Sequence, residues 1–355
     1  MRIAILGSVA LPVFPPFQGG TEWIAYYQAK GLSEKGHEVI LFGAKGTAEN
    51  FLGSAVKVVE VGGGDLAAGS KSEAKFDPSL TESSRKLRLE QVYLAGVSQK
   101  MIEFKDEYDL ILNNMRGEAV FLPIAKLINK PFVNVMHLNL FADLASIFKE
   151  FNTKIITISN AQRKNYPDLQ YLATIYNGVD IGKFKFNAKP EEYLLMVGTI
   201  GRHKNQASAI SVAKKMNKKL ILAGKIRDKD YFEELEKDID GEQIKWVGEM
   251  GFEAKLKLYM NAKAFLFPIL WEEPFGLVMI EAMACGTPVI AFNHGAVPEV
   301  VVNGKTGFVV ENEDQMADSL LKINFIGRED CRRRVEENFT VEKMINDYEK
   351  ALLKL

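Results

Sequence analysis

Short apolar runs rich in β-branched and aromatic residues alternate with longer helical stretches from one end of this chain to the other. That alternation constrains the fold more than any single motif. Strands apolar on both faces must be covered on both faces, so the pattern predicts mostly parallel sheets flanked by helices, the α/β class. Predicted strands in the first half are 3–6, 38–42, 56–61, 109–112, 132–136 and 155–158; in the second half they are 194–197, 220–223, 244–247, 264–268, 288–292 and 308–310. Helical stretches between them include 21–34, closed by Gly36, and 81–104.

The chain has 355 residues, 47% of them hydrophobic. A single core rarely grows beyond about 250–300 residues, so two domains are expected. The boundary belongs near the turn Tyr176-Asn177-Gly178-Val179-Asp180 and the aperiodic polar stretch 183–190 that follows. This gives a first domain over 1–180 and a second over 181–340, followed by an amphipathic helix over 341–355. The segment from Gly62-Gly63-Gly64-Asp65 to Pro78 is the least periodic and reads as a mobile loop on the first domain. No repeat of about 20–50 residues is visible.

Net charge is -1 and the charges are evenly spread, so no basic region is set up for nucleic acid. No apolar run approaches the roughly 20 residues of a membrane span, and the first strand is too short for a signal peptide's apolar region. Two cysteines, Cys285 and Cys331, form neither a disulfide framework nor a zinc pattern. A cytoplasmic protein is expected, with docking on a membrane surface left open.

The chemistry gathers after the strand over 264–268, in the string Trp271-Glu272-Glu273-Pro274-Phe275-Gly276-Leu277-Val278-Met279-Ile280-Glu281-Ala282-Met283-Ala284-Cys285-Gly286. Gly276 lets the backbone approach a ligand, and a helix from Leu277 would start with amides that have no intrahelical partner. With the helix dipole behind them, those amides suit a diphosphate. Glu273 before the helix and Glu281 within it carry acceptors for hydroxyl groups, with Glu281 placed for a ribose diol. As a bare spacing, two glutamates eight residues apart equally describe a solvated αβ unit. Gly19-Gly20, after the first strand, offers amides at another helix start or is a plain flexible turn; no Gly-x-Gly-x-x-Gly follows that strand, which removes support for a dinucleotide site. His137 ends the strand over 132–136, and Lys204 follows the strand over 194–197, where a lysine can neutralise a leaving phosphate. Tyr259 and Lys263 form a Tyr-x3-Lys pair on an expected surface helix, a chance spacing.

The whole string, with its two motif acids on Glu273 and Glu281, closely resembles the E-x7-E signature of retaining glycosyltransferases of family four, which have the GT-B fold. Gly19-Gly20-Thr21-Glu22 resembles the family's N-terminal glycine loop, and Gly201-Arg202-His203-Lys204-Asn205 its basic motif. Thr199 departs from it, standing where the family usually has arginine; Arg202 is near enough in sequence to replace that cation. Weaker matches are Ser159, Asn177-Gly178-Val179-Asp180, Val247-Gly248-Glu249 near an expected base pocket, Gly295, and Pro298-Glu299-Val300.

The resemblance implies two Rossmann-like domains facing across a cleft, with the acceptor mainly on the first and the nucleotide-sugar donor mainly on the second. The implied reaction moves a sugar, with retention, from a nucleotide diphosphate donor to a hydroxyl acceptor: a small glycoside, a lipid-linked group or a polysaccharide precursor. UDP is the favoured nucleotide. The catalytic set is Glu273, Lys204, His137 and Arg202; the donor set is Gly19, Gly20, Thr199, Val247, Gly248, Phe275, Gly276, Leu277, Val278 and Glu281. No metal and no cofactor are expected: Asp228-Lys229-Asp230 has metal-binding letters but sits at a charged helix start. The alternatives are a nucleotide-sugar 2-epimerase of the same fold and an inactive sugar-nucleotide binding module. The last helix is expected to pack back on the first domain.

Overall fold

The computed structural model describes residues 1–9, 11–13, 19–62 and 82–355. The first half supplies strands β1 (Arg2–Leu6), β2 (Glu38–Ala44), β3 (Lys57–Val61), β4 (Leu110–Asn113), β5 (Phe132–Met136), β6 (Lys154–Thr157) and β7 (Tyr171–Thr174). They pair in parallel in the order β3-β2-β1-β4-β5-β6-β7. Ile3, Ala4, Ile5 and Leu6 of the inner strand β1 are all fully buried, as an apolar run in a sheet covered on both faces must be.

The second half builds β8 (Tyr193–Val197), β9 (Lys219–Ala223), β10 (Ile244–Trp246), β11 (Ala264–Phe267), β12 (Val289–Phe292) and β13 (Gly307–Val310). These form a second parallel sheet in the order β10-β9-β8-β11-β12-β13. The twelve expected strands are all present, with ends shifted by a residue or two.

The strand that sequence reading missed is β7. It is a short edge strand with all four residues only half-buried, and its register against β6 shifts between Ile155 and Ile156, so it carries no strong apolar run. The helix carrying Tyr259, α7 (Phe252–Asn261), departs from its expected surface character: Tyr259 is fully buried. Lys263 bonds Glu192 at 3.0 Å while the Tyr259 hydroxyl bonds Glu281, so the Tyr-x3-Lys pair is split between two unrelated contacts.

Contacts divide the chain into two units: Met1–Ile158 with Arg163–Ile175 and Ile345–Leu355, and Ser159–Gln162 with Tyr176–Met344. Helix α1 (Gly20–Glu34) buries Ile24, Gln28, Ala29 and Leu32 along one stripe. In the last helix, α12 (Val341–Leu352), Met344, Ile345, Tyr348, Ala351 and Leu352 are buried at three- and four-residue steps. Within the first unit its Glu349 accepts hydrogen bonds from Lys35 (2.8 Å) and His37 (3.1 Å). Residues 63–78 of the expected mobile loop lie outside the described residues.

In each sheet the strand order reverses beside the unit's first strand, between β1 and β4 and between β8 and β11. Loops leaving the carboxyl ends of those neighbouring strands turn to opposite faces and leave a crevice, the usual ligand position in open α/β sheets.

Candidate functional site

In the second unit, the loop after β8 and the loop after β11 meet at that reversal. The first carries a short 3-10 turn, Arg202–Lys204, and then Asn205, a left-handed residue (φ 59°) whose side chain caps α5 (Gln206–Lys215) by accepting from the Ser208 amide. The Asn205 Nδ2 donates to the Pro268 carbonyl at 3.0 Å, and the Leu270 amide donates to the His203 carbonyl at 3.0 Å. These two bonds lock the loops together and set Lys204 against Glu273, with Nζ to Oε2 at 3.1 Å. Their side chains are 17% and 10% exposed, so the pair is shielded yet reachable. Trp271 donates from Nε1 to the same Oε2 at 2.9 Å, and its ring centroid lies 5.1 Å from the Lys204 Nζ.

The backbone of Glu273 is held from behind by Gly295. A Cβ at position 295 would meet the Glu273 carbonyl oxygen at 2.3 Å, and the next amide, Ala296, donates to that oxygen at 2.9 Å. Beyond Glu273, Gly276 adopts a left-handed conformation (φ 86°) and α8 (Leu277–Ala284) starts with no side-chain cap. The amides of Leu277 and Val278 point out of the first turn without intrahelical partners, while that of Met279 bonds the Gly276 carbonyl. One turn on, Glu281 takes the Tyr259 hydroxyl at 2.8 Å and the Lys255 ammonium at 3.1 Å. The helix ends at Cys285, and Gly286 (φ 87°) takes the left-handed position after it.

Other expected residues take different places. The guanidinium of Arg202 is tied to both carboxylate oxygens of Glu234, lies 3.7 Å from Asp228 and sits over the Tyr231 ring; the side chain is 57% exposed. No hydrogen bond or ion pair joins it to Lys204 or Glu273, because the acids of α6 (Lys229–Glu236) and its cap hold it. Phe275 is buried and packs between Tyr176 and Phe339, so its ring anchors the loop and presents no face to a ligand. Thr199 is half-buried, and its carbonyl accepts from Gln206 Nε2 at 3.1 Å. Val247 bonds Leu222 through its amide, and Gly248 (φ 76°) accepts from the Gly224 amide at 2.7 Å. Asp228 caps α6 by accepting from the Tyr231 amide. Glu299 accepts from the amides of Asn160 (2.8 Å) and Ala161 (2.7 Å) and from the Tyr176 hydroxyl (2.8 Å).

The first unit has its own cavity of about 190 Å³ at the β1–β4 reversal, where Ser8, Glu22, Asn114, Arg116, Glu118 and His137 converge. His137 directly follows β5, and its Nε2 bonds the Asn114 Oδ1 at 2.9 Å. Burial pushes its pKa down to about 4, so the ring is neutral at neutral pH. Burial pushes the carboxyls of Glu22 and Glu118 up, and the Ser8 hydroxyl, donating to Glu22, opposes that shift. Gly19 (φ 132°) precedes α1, and its carbonyl accepts from the Trp23 amide, while Gly20 is exposed at the helix start.

Sequence reading named none of Ser8, Trp271, Lys255, Asn205 or Asn114 as site residues, and gave Glu22 no role. Trp271, Glu22 and Asn205 stand inside the quoted strings. The others are brought in by the sheet order, which leaves no local trace. Among the described residues no group of three or more His, Cys, Asp or Glu is placed to hold a metal ion. Nor is any helix long and apolar enough to cross a membrane.

Two parallel Rossmann-like sheets, the second with a cation, a carboxylate and a free helix start at its strand-order reversal, define the GT-B class of α/β proteins. Solved structures share this fold: sucrose-phosphate synthase from Thermosynechococcus elongatus (TM-score 0.78, 17% identity, 99% of this chain and 98% of that one) and Anabaena Alr3699/HepE (TM-score 0.75, 20% identity, all of both chains). Residues 180–339 match the family described as glycosyl transferases group 1. The capsular polysaccharide biosynthesis glycosyltransferase CapM of Staphylococcus aureus is 30% identical over 217 residues, 55% of each chain. The glycogen synthase of Mycobacterium tuberculosis is 32% identical over 152 residues, 40% of this chain and 36% of that protein. The chain thus spans from about a third to just over half the length of these relatives. Residues 180–339 therefore carry a group 1 glycosyltransferase region.

Proposed function

We propose that the protein transfers a sugar, with retention of configuration and without a metal ion, from a nucleotide diphosphate donor to a hydroxyl acceptor. The observation that carries this reading is the shielded Lys204–Glu273 pair, 3.1 Å apart beside the free amides of Leu277 and Val278. Breaking the bond to the nucleotide puts positive charge on the sugar and negative charge on the departing diphosphate, and catalysis must stabilise both. Lys204 and the two amides supply the positive groups for the diphosphate. Glu273, fixed by Trp271 and by the Gly295 backbone, orients sugar hydroxyls.

Glu281 holds the ribose. A carboxylate has about four acceptor sites, and two of those on Glu281 are taken: Oε1 accepts from Lys255 at 3.3 Å and Oε2 from Tyr259 at 2.8 Å. Each oxygen keeps an acceptor site, which suits the two hydroxyls of a ribose diol. UDP is the proposed nucleotide, in keeping with the UDP and glucose held by the same fold in Anabaena Alr3699/HepE. A reducing, cytoplasmic setting is proposed, since both cysteines are free and buried. The named activities of the relatives are syntheses and transfers, which favours transfer over epimerisation.

A thermal-shift screen with UDP, GDP, ADP and their hexose conjugates, with and without EDTA, tests the reading. A ligand at about 100 times its dissociation constant adds about 2.7 kcal/mol of stability. A shift for one nucleotide that survives EDTA is expected; no shift with any of them overturns the proposal.

A further inference from the structure

One helix of the first unit is apolar on more sides than its own unit covers. In α3 (Glu118–Ile128) only Glu118 and Lys126 are polar. Phe121, Leu122 and Ala125 are buried, but Val120, Pro123 and Leu127 are exposed, Leu127 by 85%, and Ile124 is half-buried. These four stand at i, i+3, i+4 and i+7 and form a second apolar stripe, whereas a helix apolar all round is ordinarily covered all round. Beside that stripe runs α2 (Glu82–Glu103), and the two helices border an open groove of about 470 Å³ lined by Gln91, Leu94, Ala95, Gln99, Ile102 and Val120.

The outer line of α2 has the same spacing in both directions. Arg88, Gln91, Ala95, Gln99 and Ile102 are all exposed and follow one another at steps of 3, 4, 4 and 3, a palindrome about Ala95. Two copies of α2 laid antiparallel about a two-fold axis at Ala95 bring Gln91 of each copy opposite Gln99 of the other, and Arg88 opposite Ile102 and its neighbour Glu103. A glutamine amide both donates and accepts, so each Gln91–Gln99 pair satisfies itself. Glu103 accepts from Lys100 at 2.6 Å through Oε2, which leaves Oε1 for Arg88 of the other copy. Ala95 carries only a methyl group, so the two backbones can approach closely at the axis. A bilayer, by contrast, would bury both glutamines against chains that offer no hydrogen bond.

We propose that this face is the interface of a homodimer, in which the two α2 helices pack antiparallel through the line centred on Ala95 and the α3 stripe of each copy is covered by the flank of the other copy's α2. The face is about 21 Å long from Arg88 to Ile102 and about 20 Å across the two helices, about 400 Å² per copy before side-chain relief. That is small for a specific interface, so the dimer is reversible and forms in the micromolar range.

The test is sedimentation velocity on the full chain from about 1 to 300 µM, a range that spans such affinities. A monomer–dimer equilibrium is expected, and a monomer throughout overturns the proposal. Ala95→Arg puts a helix-forming residue at an exposed helical position and should give a folded monomer; a dimer as strong as that of the wild type would place the interface elsewhere. Arg88→Glu and Glu103→Arg should each weaken the dimer about tenfold, because each sets like charges face to face twice, and the double variant should restore it. Failure of the double variant to restore it overturns the antiparallel register. Cross-linking decides even where a variant folds poorly. Both native cysteines are buried, so Ala95→Cys oxidised with copper phenanthroline should give a disulfide-linked dimer, whereas Leu52→Cys, at a position 84% exposed and away from α2 in sequence, should not. Equal cross-linking of the two, or none of Ala95→Cys, overturns the proposal. Flotation with vesicles of phosphatidylglycerol and phosphatidylcholine checks the other occupant: a monomer that floats as wild type but not as Ala95→Arg would give this face to a lipid surface and overturn the dimer.

Discussion

Replacing Lys204 by methionine removes one charge and keeps the aliphatic stem against the Trp271 ring, so it isolates the electrostatic part of the site. A unit charge about 4 Å from another contributes about 4 kcal/mol gross at an effective dielectric near 20. Lys204 already spends part of its field on Glu273 at 3.1 Å. The net loss expected at the transition state is about 3 kcal/mol, which is about 10²-fold in kcat and matches the loss of one preorganised donor elsewhere. Stability should fall less than the roughly 3–5 kcal/mol of a fully buried broken pair, because Glu273 keeps its bond from Trp271 at 2.9 Å. About 1–3 kcal/mol is expected. Sugar-nucleotide cleavage at saturating donor, measured beside urea unfolding of the same preparation, separates the two effects. Turnover near that of the wild type together with reduced stability would refute the reasoning: the pair would then be a structural clasp, and Lys204 would not face the diphosphate.

Arg202→Ala should leave turnover near wild type, since Glu234 and Asp228 already hold its guanidinium; a fall of about 10²-fold would instead put Arg202 on the phosphates. Tyr259→Phe removes the buried hydroxyl bonded to Glu281 at 2.8 Å and should cost about 1 kcal/mol in thermal unfolding while weakening nucleotide binding; unchanged nucleotide affinity on titration would take Tyr259 out of the orientation of Glu281. For His137, the folded pKa of about 4 lies below the ordinary 6.5, so the unfolded chain binds more protons between those values. Its contribution to stability is fully present above about pH 6.5 and is lost as pH falls through about 4, at most about 3 kcal/mol. Urea unfolding of wild type and His137→Gln across that range should show the variant with the flatter pH profile, and equal slopes would count against a buried neutral ring.

Most of the fold was legible because parallel strands buried on both faces leave dense apolar runs, as in Ile3–Leu6 and Ala264–Phe267. The half-buried edge strand β7 leaves no such run, and its residues read as part of a loop. Local features of the site were legible too: Gly276 and the uncapped start of α8 are encoded within a few residues. The contacts that give the glutamates their settings were not. Lys204 lies 69 positions before Glu273, Tyr259 lies 22 before Glu281, and Asn114 lies 23 before His137. Only the strand order brings each pair together, and strand order has no signature in local periodicity. Arg202 shows the converse. Its proximity in sequence to Thr199 suggested that it replaces the arginine missing there, but the 3-10 turn that carries Arg202 and Lys204 presents their side chains to different partners.

The two units apply the same topological device to different sets of side chains. At the reversal in the second sheet, the chain places a lysine and two unpartnered amides, groups that stabilise negative charge. At the reversal in the first, it places Arg116, two carboxyls whose pKa burial raises and a histidine that burial keeps neutral. The even charge balance of the sequence hides this, because Arg116 is matched by Glu90 and Arg202 by Glu234, which removes from each reversal a cation that a count would assign to it. Lys204 is paired too, with Glu273, but that pair is shielded, its side chains 17% and 10% exposed against 54% for Arg116 and 57% for Arg202. Burial, and not the net charge of -1, therefore decides how strongly the charges at each reversal act on one another.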